Sequence, residues 1–346
     1  MSFNEIKYKK PFYKIKAPLR THLTQYSRHA SLPIGYTDLT HYKELIPMVD
    51  KNDQPTLWYG VIYNASDLEF FQRELVRVYE MLVADGDVIP YLKIASIEFC
   101  SFGNSQPFRI KVINELNENH DYFYIKKADA SRVYGLELEE IFSPNKVSFL
   151  VHRETLVEEH IVGVPCDEFI LKNKNVKIEN RLRFAKEFVK FNERCFARLL
   201  GDMRAYNFVV EITQDFDNVQ YRLRAIDFDQ QTYEGTKSIY LPQYYKDNIA
   251  LVKLTQELLD HSVAEQYMRE ERVAMRKRFT ANRQRTRSLL RRMRKDTIST
   301  PENRKKLMLD LTKYHGKNVF HPDLKMGGIL TKHLELKLGI KIFENE

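Results

Sequence analysis

The chain has 346 residues, 43% hydrophobic and 12% aromatic, which is ample for a sizeable core and excludes intrinsic disorder over the whole length. Twelve glycines and 12 prolines exclude a collagen-like or low-complexity chain, and three scattered cysteines (Cys100, Cys166, Cys195) make neither a disulfide framework nor a zinc site. The net charge of +8 is local rather than general. Residues 269–306 carry 15 Lys and Arg against four Asp and Glu, so the remainder of the chain is slightly acidic.

Residues 1–65 are expected to form an extension, an extended arm with short strand or helix pieces. Ser66-Asp67-Leu68-Glu69 has the composition of a capping box, and Leu68, Phe71, Leu75, Val78 and Leu82 follow at helical spacing, predicting a helix to about Ala84. Three β-branched or aromatic runs (94–103, 107–114, 121–128), parted by turn-forming segments, predict an antiparallel meander. A helix over 131–142 and two further strands (146–153, 155–162) complete a five-stranded unit over 66–163. Beyond it, residues 164–346 read as mainly helical. An apolar-striped helix runs over 181–201 and ends at Gly201, a hairpin spans 208–212 and 219–228, and further helices cover 247–260, 263–294 with a break near Thr280, and 301–314.

The hairpin is bracketed by chemistry. Asp202 and Asn207 directly precede it, and Asp227 closes its second strand, so all three side chains are expected at one end. Two carboxylates and an amide oxygen suit phosphoryl transfer. One carboxylate orients an attacking hydroxyl, while the other, with the amide, supplies the hard oxygen ligands that magnesium prefers.

This constellation resembles the protein-kinase-like superfamily, in particular its aminoglycoside and choline kinase-like small-molecule branch. There, a catalytic loop HGD-x-x-x-x-N precedes a strand ending in IDF or IDW. Here the loop is Leu200-Gly201-Asp202 with Asn207, and the strand ends Ile226-Asp227-Phe228. The resemblance implies an α+β bilobal fold, a small antiparallel β lobe and a larger helical lobe. It also implies ATP and magnesium as cofactors. Asp202 corresponds to the catalytic base, Asn207 and Asp227 to the metal ligands, and Arg204 to a phosphate-contacting position. Glu159 and Ile161, within Leu156–Gly163, resemble the hinge whose backbone reads adenine. A strand lysine for the phosphates would be Lys126 or Lys127, which point to opposite faces; Lys126 directly follows the β-run and is preferred. Its acidic partner would be Glu137 or Glu140, and the turn at Gly103 would cover the phosphates. The chain departs from the pattern at Leu200, where the family carries His, in having one glycine in the phosphate turn, and at Asp229, where protein kinases carry Gly.

The basic segment within 263–314 is the second distinctive feature. Its arginines predict an electrostatic footprint for a polyanionic partner or substrate (nucleic acid, an acidic protein or an anionic surface), with Met268, Val273, Phe279, Leu289, Leu290 and Met293 anchoring the other face. The alternative to a kinase is therefore a pseudokinase-type scaffold that holds a polyanion through this segment. No P-loop, dinucleotide fingerprint or nucleophile elbow occurs, and no stretch of about 18 apolar residues predicts a membrane span. The sequence predicts a cytoplasmic protein.

Overall fold

The computed structural model describes residues 10–50, 52–172, 178–215 and 218–343. The first nine residues of the expected arm, the tip of the hairpin turn at 216–217 and the last three residues lie outside them. The chain is α+β, and it divides into two compact units: Met1–Ala130 with Val147–His160, and Ser131–Lys146 with Ile161–Glu346.

The first unit opens with α1 (Ala17–Gln25), α2 (Tyr36–Leu39), β1 (Glu44–Val49) and β2 (Pro55–Ile62). Then come α3 (Ala65–Val83), β3 (Leu92–Cys100), β4 (Phe108–Asn114) and β5 (His120–Lys127). After an excursion of the chain into the second unit, β6 (Phe149–His152) and β7 (Thr155–Glu159) return. The strands form one antiparallel sheet in the order β1-β2-β3-β4-β5-β7-β6. The meander and the two returning strands match the sequence reading; the β1–β2 hairpin adds two strands that had been assigned to an arm. The hairpin sits at the sheet edge with Pro47 and Pro55, and none of its strand residues is buried, so it carries no alternating stripe. Along β4 and β5 the side chains alternate. Phe108, Ile110, Val112, Phe123 and Ile125 are buried with Phe71, Leu75 and Val78 of α3, each stabilising by about 1.5–3 kcal/mol. Trp58, Arg109, Tyr122 and Tyr124 occupy the other face, where the Arg109 guanidinium lies 4.2 Å from the Trp58 ring centroid and 5.5 Å from that of Tyr122. Helix α3 starts at Ala65 behind Asn64, not at the Ser66 capping box; Ser66 Oγ donates to its neighbour Asp67 instead.

The second unit contains α4 (Ala130–Phe142) from Ser131 onward, β8 (Val164–Pro165), α5 (Cys166–Lys172), α6 (Ile178–Arg198), β9 (Phe208–Asp215) and β10 (Asn218–Ala225). Five helices follow: α7 (Ile249–Leu258), α8 (His261–Ala281), α9 (Arg283–Met293), α10 (Pro301–His315) and α11 (Met326–Leu338). Helix α6 packs against α7, α8, α11 and the hairpin strand β10, so it forms the spine of the unit. Asn282 interrupts the long basic helix where a break was expected, with its side-chain amide returning to the Arg278 carbonyl. Helix α11 had not been read from the sequence. Gly327 in its first turn lies against the Met293 backbone so closely that a Cβ would collide with the Met293 carbonyl.

Much of the basic segment is spent internally. Arg272 pairs with Glu193, Arg278 with Glu271, and Arg285 with Glu137; Arg287 donates to the Ile342 carbonyl. Arg276, Lys277, Arg291, Lys295, Lys305 and Lys306 are exposed.

Candidate active site

Helix α6 ends at Arg198, three residues before the expected Gly201, in a reverse turn. The N–H of Leu199 donates to Phe196 O at 3.1 Å and that of Leu200 to Cys195 O at 2.9 Å, with Leu199 in the left-handed region (φ 53°). This throws the chain into the polar loop. Leu200, where the resemblance implies a buttressing His, is buried and bridges to Gln231 through backbone alone. Gln231 supplies the side-chain buttress: its Nε2 donates to the carbonyls of Arg198 (2.6 Å) and Leu199 (3.3 Å).

Asp202 is itself left-handed (φ 57°), a conformation that Asp tolerates better than most residues. Its N–H points at the Tyr245 hydroxyl (3.0 Å), which in turn donates to the Ile239 carbonyl. A 3-10 turn over Ala205–Asn207 brings Asn207 back, and Asn207 Nδ2 donates to the Asp202 carbonyl at 2.7 Å. The amide orientation is thereby set, and Asn207 Oδ1 is the end turned away from that bond. The Ile226 N–H donates to the Asn207 carbonyl at 3.0 Å, so the loop is tied to the residue preceding Asp227. The three residues singled out in the sequence are thus held in one hydrogen-bonded assembly inside the second unit.

Each carboxylate carries a guanidinium. Arg204 Nε donates to Asp202 Oδ1 at 2.9 Å and Nη1 to Asp247 at 3.1 Å, its plane 5.0 Å from the Tyr245 ring centroid. Arg132, near the start of α4 and only 2% exposed, donates from Nη1 to both Asp227 Oδ1 and Asp229 Oδ1, each at 3.0 Å. Asp229 also closes on Asp227 through its N–H, at 2.9 Å. The departure from Gly at position 229 therefore has a physical counterpart: a second carboxylate that shares a buried arginine. Burial pushes the Asp202 carboxyl up, opposed by its hydrogen bond from Arg204, and Glu234 is raised by burial and then by the Asp202 charge. The side chains of Asp202 and Asp227 remain 35% and 32% exposed, so both can be reached by a ligand.

Lys126 lies in the first unit, buried, with Nζ 2.6 Å from Glu158 of the neighbouring strand and 5.0 Å from the Tyr124 ring centroid. Lys127 points to the opposite face and is exposed. Within the second unit Glu137 is bidentate to Arg285 (3.0 and 2.7 Å), and Glu140 lies 3.9 Å from the same arginine. Glu137 and Glu140 thus engage Arg285 within the second unit, and within the first unit Lys126 pairs with Glu158. In the stretch that the resemblance matches to a hinge, the Glu159 N–H is taken by the Ser148 carbonyl and Ile161 is buried. Gly103 stands in the β3–β4 turn with φ 95°, as a glycine-dependent turn requires.

Sequence reasoning missed Arg132, Gln231, Tyr245 and Asp247. None lies in the loop pattern, and each acts across 33 to 97 residues or from a helix that read as ordinary. Among the described residues no group of three or more His, Cys, Asp or Glu is arranged to hold a metal ion. The donors at hand are instead one amide oxygen and carboxylates, a sparse hard-oxygen set of the kind magnesium accepts when phosphates and water complete its shell. Compared with protein-family models and with curated proteins, the chain matches none.

Proposed function

We propose that the chain is a magnesium-dependent, kinase-like phosphotransferase that passes the γ-phosphate of ATP to a hydroxyl. In this reading the first unit corresponds to the small lobe of a bilobal protein-kinase-like fold and the second to the helical lobe. The observation that carries the reading is the tie between the Asp202–Asn207 loop and the strand end at Asp227, through Asn207 Nδ2 to Asp202 O and Ile226 N–H to Asn207 O.

Asp202 orients the acceptor hydroxyl and takes its proton; burial raises its affinity for that proton, and Arg204 tempers the rise. Asn207 Oδ1 and the Asp227 carboxylate would hold magnesium, which when bound neutralises charge on the phosphate oxygens. Arg132 contributes a fixed positive charge beside Asp227 that needs no ion. Lys126, ion-paired with Glu158, would steady the nucleotide phosphates. Positioning and charge neutralisation supply the acceleration. The test is Asp202→Asn. It should lower turnover about 100-fold or more while nucleotide affinity moves less than about threefold. Unchanged turnover would reject the role of Asp202.

A guanidinium on each carboxylate favours a second reading, a pseudokinase-type scaffold whose exposed cations on α8 and α9 hold a polyanion. A thermal shift with magnesium-ATP supports the first reading. A steep salt dependence of polyanion binding without such a shift supports the second.

A further inference from the structure

The first unit has a cavity of about 460 Å³ that the phosphotransfer reading does not use. It lies on the Lys127 side of β5, away from Lys126. Its walls come from the segment that leads into α1 and α1 itself, from His29, from the end of β5 at Lys127 and Ala128, and from the tight β6–β7 turn where Arg153 adopts a left-handed φ of 51°. Four cations converge there, Lys14, Arg20, Lys127 and Arg153, against one acid, Glu154.

Several cations of this unit are matched to acids: Lys10 to Asp129, Lys126 to Glu158, Arg109 to Glu98, Arg73 and Arg77 to Glu74. Among the described residues none of the four cavity cations makes an ion pair; Arg20 has only a 3.5 Å contact to the Ile15 carbonyl. His152, on the cavity wall, keeps its Nδ1 buried with no hydrogen-bond partner. The ring of Phe12 is exposed at the rim, with the Lys127 ammonium 4.9 Å from its centroid. Like charges gathered without counter-charge repel one another, and an orphaned buried ring nitrogen loses its hydration. A multivalent anion relieves the repulsion among the cations. The volume fits a ligand of mononucleotide size and is too small for a helix or duplex.

We propose that this cavity is a binding site for a phosphorylated small molecule, with Arg20, Lys127 and Arg153 on the phosphate and Phe12 against the apolar or aromatic remainder. The site stands on the opposite face of β5 from Lys126, and its existence does not depend on the chain being a phosphotransferase.

Calorimetry with inorganic pyrophosphate and with AMP, without magnesium, tests it. Both probes should bind, and Arg20→Glu with Arg153→Glu should weaken both by at least about tenfold, as loss of charge-assisted bonds to phosphate does. Phe12→Ala should weaken AMP and leave pyrophosphate unchanged. Lys305→Glu with Lys306→Glu on α10, an equal change of charge elsewhere, should alter neither, and Asp202→Asn should leave both affinities intact. The proposal is overturned if neither probe binds at millimolar concentration, or if the α10 variant loses as much affinity as the cavity variant. Retained pyrophosphate binding in Arg20→Glu with Arg153→Glu overturns it equally. Loss of pyrophosphate binding in Asp202→Asn would instead assign the signal to the second unit.

Discussion

Positive charge is handled in opposite ways in two regions of this chain. Around Asp227 the arginine is buried and shared by two carboxylates, with Asp229 further latched by its own N–H. Around Lys127, on the outer end of β5, four cations stand at the solvent without any acid bound to them. A closed cluster is held together by the cost of desolvating whatever is left behind when one member is removed; an open cluster costs little to dismantle and is available to a ligand. The contrast separates residues that build a site from residues that are ready to receive something.

The difference can be broken deliberately. The largest effect is expected from Arg132→Ala, which removes the buried guanidinium shared by Asp227 and Asp229 and should cost about 3 kcal/mol in urea unfolding, with Asp229→Ala in the same chain restoring part of it. A fully additive pair would mean that the two do not share the arginine energetically. Gln231→Ala should come next, at about 1 kcal/mol. It takes the side-chain donor from the Arg198 carbonyl, while the Leu199 carbonyl keeps the N–H of Thr232 at 2.8 Å, and it also removes the buried, partnerless Gln231 Oε1, which offsets the loss. Because that side chain props the Asp202 loop, turnover should fall more than stability does. The smallest effect is expected from Arg153→Ala, within about 0.5 kcal/mol, since nothing in the fold leans on its charge. A loss as large as that for Arg132 would show the open cluster to be structural.

The elements that were legible in the sequence are those with one buried face. Helix α3, strands β3 to β7, α6 and the β9–β10 hairpin all announce themselves by a 3.6 or 2 residue period, and Asp202, Asn207 and Asp227 by their spacing around that hairpin. The β1–β2 hairpin was hidden because an exposed edge needs no apolar stripe. Helix α11 was hidden for the converse reason: Met326 to Leu334 is buried nearly all round, and its opening glycines look like a loop until Met293 is seen pressed against Gly327. Arg132 could not be read, since its meaning lies in partners 95 and 97 residues away. Lys126 and Lys127 were correctly recognised as facing apart, but only packing distinguishes the buried member, with Glu158, from the exposed one.

The left-handed backbone at Asp202 acts as a filter on what can occupy that position. Most side chains would have to bear steric strain of about 1–2 kcal/mol there, whereas asparagine and glycine would not. Any lineage in which this carboxylate became dispensable would be expected to drift first toward those two residues, so the shape of the loop would outlast its chemistry.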